Sequence, residues 1–186
     1  MSDDEFNTIY PDHIQKIAHT HFTPVDISKI SARLLSVSQN APILDIGAGA
    51  GKFCSIGSVC TDNVFVGVEH RLALYSLSLE IVDRYRLKNV EMIHSDITEI
   101  PFGDFKLIYF FNSFSENIAP LEKIDDSTEL TKKKYVDNTK YVKQQLETLD
   151  TGTKILTYYS TNAIIPENYQ LKLSLFDCKL KVWERM

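Results

Sequence analysis

Cysteine is scarce, with three residues at positions 54, 60 and 178 of a 186-residue chain. Their spacing forms neither a disulfide framework nor a zinc pattern, and Cys54 is expected to pack as a small apolar residue. No apolar run approaches the length that spans a bilayer. The acidic start, Met-Ser-Asp-Asp-Glu-Phe, has no apolar core of a secretory signal. The chain therefore reads as cytoplasmic and reduced, with no membrane partner. Internal repeats and low-complexity segments are absent. Positive charge is not in excess either: the net charge is −5, which argues against broad binding to a phosphate backbone and makes nucleic acid the minority partner. Lys132-Lys133-Lys134 reads as the solvated start of a helix. His13, His19 and His21 have no acid or cysteine at ligand spacing, so no metal site is expected.

What is present is ordinary globular material. Hydrophobic residues make up 44% and charged residues 24%, enough for one cored domain over residues 1–186. Residues 1–40 form an N-terminal helical segment and 41–186 the core. His13–Ser38 reads as two helical pieces broken at Phe22-Thr23-Pro24, with Ile27, Ile30 and Leu34 on one stripe. Strands and helices then alternate. Strands are expected at Pro42–Ile46, Val64–Val68, Val90–Ile93, Lys106–Phe111 and Lys154–Tyr159. Helices are expected at Gly51–Val59, at Arg71–Tyr85 with Leu74, Leu77, Ile81 and Tyr85 on one side, and at Tyr135–Leu149 with Val142, Leu146 and Leu149 inward. Right-handed crossovers make the five strands parallel. Gln170–Ser174 and Lys179–Trp183 alternate polar and apolar across a short connection, which suits an antiparallel hairpin. Ile118–Thr131 is the polar stretch expected to form a loop or lid.

The most informative stretch is Ile43–Lys52. An apolar run feeds Asp45, then Gly47, Gly49 and Gly51 fall on alternate residues. Glycine lets the chain turn sharply and lets a ligand approach the backbone. Glu69 follows Gly49 by twenty residues, at the end of the next apolar run. Together they read as a nucleoside crevice at the carboxyl ends of parallel strands. The dinucleotide fingerprint spaces its glycines differently and seats a pyrophosphate. An acid at position 45 repels a pyrophosphate and suits a cationic amino group. S-adenosyl-L-methionine carries an ammonium and a sulfonium and has no phosphate, so it is the ligand the charges favour.

Ile43–Lys52 resembles the first motif of the class I S-adenosylmethionine-dependent methyltransferases. Val66–Glu69 resembles the second, Ile93–Asp96 the third and Phe110–Phe114 the fourth, and the likeness runs from about residue 40 to 185. It implies an α/β fold: a three-layer α/β/α sandwich whose seven-stranded, mostly parallel sheet has the order 3-2-1-4-5-7-6 and ends in an antiparallel hairpin. It also implies roles. The backbone of Gly47, Ala48 and Gly49, with Gly51 and Asp45, would line the methionine part of the cofactor. Glu69 would take both ribose hydroxyls, His70 and Arg71 would flank the adenine, and Asp96 and the Ile97 amide would meet its edge. Phe22 or Thr23 would close over the methionine end.

Asn112-Ser113-Phe114 is the local hint to the acceptor. It resembles the Asn/Asp-Pro-Pro-Tyr/Phe motif of methyltransferases that act on nitrogen, with one serine where that motif has two prolines. An Asn112 carbonyl would accept from an N–H and aim the lone pair at the methyl, and Phe114 would stack on a flat acceptor. Asn112 would also border the cofactor. The chain is thus expected to move a methyl group to a nitrogen of a small molecule or a protein. The competing readings are a catalytically idle cofactor-binding module acting in a complex and, less favoured, an NAD-type oxidoreductase.

Overall fold

The computed structural model describes residues 1–36, 41–119 and 123–186. Three helices open the chain: α1 (Asp3–Asn7), α2 (Asp12–His21) and α3 (Val25–Ser36). There follow β1 (Ile43–Ile46), α4 (Lys52–Cys60), β2 (Phe65–Glu69), α5 (Leu72–Tyr85), β3 (Val90–His94), β4 (Leu107–Phe110), α6 (Lys132–Thr148), β5 (Lys154–Tyr158), β6 (Tyr169–Leu175) and β7 (Leu180–Arg185). The strands form one sheet in the order β3-β2-β1-β4-β5-β7-β6. The first five are parallel, and β7 runs antiparallel to both β5 and β6. This is the expected Rossmann-like methyltransferase topology, hairpin included.

Period-two alternation builds the layers. Ile43, Leu107 and Tyr109 point into one core with Leu35, Phe53 and Phe65. Their neighbours Leu44, Ile108 and Phe110 point into a second core with Val142 and Leu146 of α6. Strands covered on both faces read as unbroken apolar runs, and β1 and β4 are buried at every residue. Each aliphatic side chain buried this way contributes about 1.5–3 kcal/mol. A third core joins Phe6, Tyr10, Ile14 and Phe22 of the N-terminal segment to Ile56 of α4 and Leu74 and Ile81 of α5. The break between α2 and α3 falls at Phe22-Thr23-Pro24, as the proline dictates.

Two details differ from the sequence reading. Tyr85 is 51% exposed although Leu74 and Ile81 on the same stripe are buried. It lies in the last turn of α5, beside the left-handed Arg86 that ends the helix. The N-terminus also forms a helix of its own, α1, through a capping box: Ser2 Oγ accepts from the Glu5 amide and the Glu5 side chain accepts from the Ser2 amide. Part of the expected loop or lid, residues 120–122, lies outside the described residues, as do residues 37–40.

Strand register sets the site. Ile46 pairs with Val68 of β2 and Phe110 of β4, and Phe110 pairs with Thr157 of β5. Four strands therefore end level. The residues that follow them, Gly47, Glu69, Phe111-Asn112 and Tyr158-Tyr159, share one rim.

Candidate active site

At that rim lies a cavity of about 460 Å³ lined by the glycine loop, the segment before α3, the ends of β2, β4 and β5, and the start of α6. Gly47 and Gly49 have φ of +72° and +57°, in the left-handed region. A Cβ on Gly47 would come 2.5 Å from Ser113 Cβ, and one on Gly49 would come 2.8 Å from Phe22 Cε1. Both glycines are thus required by conformation and by closeness. The Ala48 amide donates to Val68 O at 2.9 Å, which ties the loop to β2.

Glu69 is 4% exposed. Its Oε2 accepts from the Gly49 amide at 2.9 Å and its Oε1 from the Arg71 amide at 2.7 Å, with His70 Nδ1 3.2 Å from Oε1. Burial works to raise its pKa, but the His70 contact and the two amides outweigh burial and hold it below the ordinary carboxylate value. A carboxylate has about four acceptor sites, so capacity remains for a diol. Asp45, 3% exposed, has the opposite fate. Burial pushes its pKa up to about 7, against a hydrogen bond donated by Cys54 Sγ at 3.4 Å, with the Glu69 charge adding to the rise. Cys54 is buried as expected and also serves Asp45.

Arg71 lines the cavity with its guanidinium held by two acids. Its Nη1 and Nη2 donate to Glu116 Oε1 and Oε2 at 3.2 and 2.9 Å, and its Nε to Asp125 Oδ1 at 3.3 Å. Glu116 Oε2 also takes the Ile124 amide at 2.8 Å. His70 Nε2 lies 3.3 Å from Thr128 Oγ1. The segment 124–128 is thereby fastened beside Glu69. Asp96 is exposed, and its Oδ1 takes the Thr98 amide and hydroxyl at 2.9 and 2.8 Å, capping the turn Ile97–Glu99. Its other oxygen has no protein partner among the described residues. Both Asp96 and Ile97 line the cavity.

At the opposite end Thr23 Oγ1 lies 2.9 Å from the Tyr109 hydroxyl, and Phe22 covers Gly49. Lys52, 2% exposed, donates to Asp3 Oδ1 at 2.5 Å and to Asn7 Oδ1 at 3.0 Å. Asp3 Oδ1 also accepts the Val25 amide at 3.1 Å. Helix α1 is therefore latched to the residue that follows the glycine loop.

Asn112 and Tyr159, at the tips of adjacent strands, both have left-handed φ, +42° and +48°. The Asn112 amide donates to Ser160 Oγ at 2.9 Å, while its carboxamide has no protein partner among the described residues. Ser113 Oγ donates to Ile46 O, so the serine packs on the first glycine of the loop. Phe114 lines the cavity but is buried against Phe110, with ring centroids 5.2 Å apart. Phe111, Tyr158 and Tyr159 make the aromatic rim beside Asn112 instead. The sequence reading gave no role here to Lys52, Glu116, Asp125 or His19, all of which touch or brace the cavity. Only Lys52 had a local signal, its place directly after Gly51.

The residues fit a phosphate-free nucleoside with an amino-acid tail: two left-handed glycines that line the cavity, a buried ionised acid with free acceptor capacity, and a second buried acid before the loop. A family model described as protein-L-isoaspartate(D-aspartate) O-methyltransferase matches residues 3–99. None of the curated proteins matches the chain. Among solved structures, TrmN from Thermus thermophilus is 14% identical, with 92% of this chain and 52% of that one covered and a TM-score of 0.65. An RNA methyltransferase from Salinibacter ruber, in complex with S-adenosyl-L-homocysteine, is 15% identical over 88% of this chain and 92% of that one, TM-score 0.59. A SAM-dependent methyltransferase from Aquifex aeolicus is 12% identical over 99% and 98%, TM-score 0.59.

Proposed function

The chain belongs to the protein-L-isoaspartate(D-aspartate) O-methyltransferase family and uses S-adenosyl-L-methionine, and from that premise we propose that it methylates a nitrogen of a small molecule or a protein side chain. The observation that carries the choice of nitrogen is the Asn112 carboxamide, which stands at a strand tip without a protein partner among the described residues. The match to the family ends at residue 99, before β4 and the rim where an acceptor would lie. The family's named carboxylate acceptor is therefore not carried over with the match. The oxidoreductase reading falls with the family assignment.

The bound cofactor supplies a methyl group already activated on sulfonium. This chain's residues supply alignment, which can contribute roughly 7–11 kcal/mol when donor and acceptor are held in line. In this reading residues 1–186 act as one domain. Gly47, Ala48 and Gly49 offer backbone to the tail. Asp45 faces the ammonium, Glu69 the ribose hydroxyls, and Asp96 and the Ile97 amide the adenine edge. Thr23 and Phe22 cover the tail end. Asn112 Oδ1 accepts an N–H of the acceptor and so aims its lone pair, while Phe111, Tyr158 and Tyr159 shelter the cationic product. The acceptor nitrogen would take the methyl with the bonding pair staying on sulfur, and the product ammonium would release its proton to solvent.

A second reading, a carboxylate acceptor, draws on Lys134, which lines the cavity and has no ion-pair partner among the described residues. The test is transfer of a radiolabelled methyl to amine, amide and isoaspartyl-peptide panels, followed by alkali. Label on nitrogen withstands base, whereas a methyl ester releases volatile methanol. Base-stable label that Asn112→Ala reduces at least tenfold supports the nitrogen reading. Base-labile label supports the carboxylate. Tight binding of S-adenosyl-L-homocysteine with no transfer to any panel supports an idle binding module.

A further inference from the structure

Two buried side chains of opposite sign line the cavity on either side of the glycine loop: Asp45 before it and Lys52 after it. The amino-acid tail of the cofactor is a zwitterion, with one ammonium and one carboxylate. Asp45 suits the ammonium, and nothing described so far meets the carboxylate. Lys52 is the buried cation nearest in sequence to the loop. A lysine ammonium has three N–H donors. Asp3 Oδ1 and Asn7 Oδ1 take two of them. The third has no hydrogen-bond acceptor among the described residues; the Phe6 ring, with its centroid 5.4 Å away, is the other neighbour. A buried donor without an acceptor is costly, and a ligand carboxylate entering beside Gly49 would remove that cost.

Other cations at the cavity are placed differently. Arg71 is held by Glu116 and Asp125 at the ribose end. Lys134 belongs to the first turn of α6. We propose that Lys52 binds the carboxylate of the cofactor's amino-acid tail, and that α1 holds the ammonium in place for it through Asp3 and Asn7. Asp3 is then both the brace and a competitor, since its own carboxylate shares the same ammonium. Helix α1 becomes part of the cofactor site although it contributes no direct contact.

The test is calorimetric and needs no turnover. S-adenosyl-L-homocysteine is compared with S-adenosyl-3-thiopropylamine, the same thioether without the carboxylate. The parent protein is expected to prefer the carboxylate form by about tenfold or more, as for one charge-assisted hydrogen bond. Lys52→Met should remove that preference by weakening the first ligand and leaving the second within about threefold. Asp3→Asn retains Lys52 and removes its competitor, so the preference should rise above the parent's. The ratio of the two affinities cancels any loosening of the fold common to both ligands, and Asp3→Asn carries the test if Lys52→Met fails to fold. A parent that binds both ligands equally, a Lys52→Met protein that weakens both by the same factor, or an Asp3→Asn protein with an unchanged ratio would each overturn the assignment.

Discussion

Arg71 and Glu116, forty-five residues apart, meet through two nitrogen–oxygen contacts of 3.2 and 2.9 Å, both side chains being buried. The pair joins the segment after β2 to the turn after β4. Removing Glu116 leaves the buried Arg71 with Asp125 as its one carboxylate among the described residues, a loss approaching the roughly 3–5 kcal/mol of a broken buried pair. Glu116→Ala should therefore lower the urea midpoint sharply. Replacing both, as Arg71→Met with Glu116→Leu, should recover most of the loss, because a buried ion pair and an apolar pair of similar size are close in free energy. A double variant as unstable as the single one would mean that Asp125 and the Ile124 amide, not the pair, carry the stability.

The ribose assignment has its own test. Glu69→Ala should weaken S-adenosyl-L-homocysteine binding by about 1.5–3 kcal/mol for each charge-assisted hydrogen bond lost. Glu69→Gln keeps one acceptor and should lose less. Titration calorimetry on the two variants checks the order. Equal affinity in Glu69→Ala and the parent would remove Glu69 from the site.

Much of the fold was legible because its signals are local. Short apolar runs with glycine or acid at their ends marked the parallel strands, and polar–apolar alternation on both sides of a short connection marked the hairpin. The Gly47/Gly49/Glu69 arrangement was legible because turn geometry and ligand approach demand those residue types. What escaped depends on distance along the chain. Nothing near Arg71 announces Glu116 or Asp125, and nothing near Lys52 announces Asp3. Phe114 lines the cavity with its ring packed on Phe110, a contact that spacing alone does not announce. The Ser2–Glu5 capping box was present in the sequence and passed unread.

The raised pKa of Asp45 gives a pH signature. Its folded value, about 7, lies above the ordinary 3.8. Between those values the folded state holds a proton that the unfolded state has released. Asp45 therefore makes stability fall as pH rises from about 4 to 7, with no further change above 7. Binding runs the other way. The ionised form suits an ammonium, so affinity for S-adenosyl-L-homocysteine should increase as pH rises through 7. Asp45→Asn should flatten both trends, read by calorimetry and by denaturation at matched pH values. A parent profile that keeps its slope in Asp45→Asn would assign the titration elsewhere.

Gly49→Ala places a Cβ 2.8 Å from the Phe22 ring at a left-handed φ. The conformation alone costs about 1–2 kcal/mol, and the ring must also shift from its position over the loop. Loss of ligand affinity should exceed loss of stability, because Phe22 lines the cavity over Gly49. Thermal denaturation with and without S-adenosyl-L-homocysteine separates the two.

The most direct measurement is a crystal structure of the chain grown with S-adenosyl-L-homocysteine. Expected is a ligand lying across Gly47–Gly49, both ribose hydroxyls within hydrogen-bond distance of Glu69 and the thioether sulfur facing Asn112. A ligand seated in another cavity, or a ribose that leaves Glu69 bonded only to the Gly49 and Arg71 amides, would contradict it.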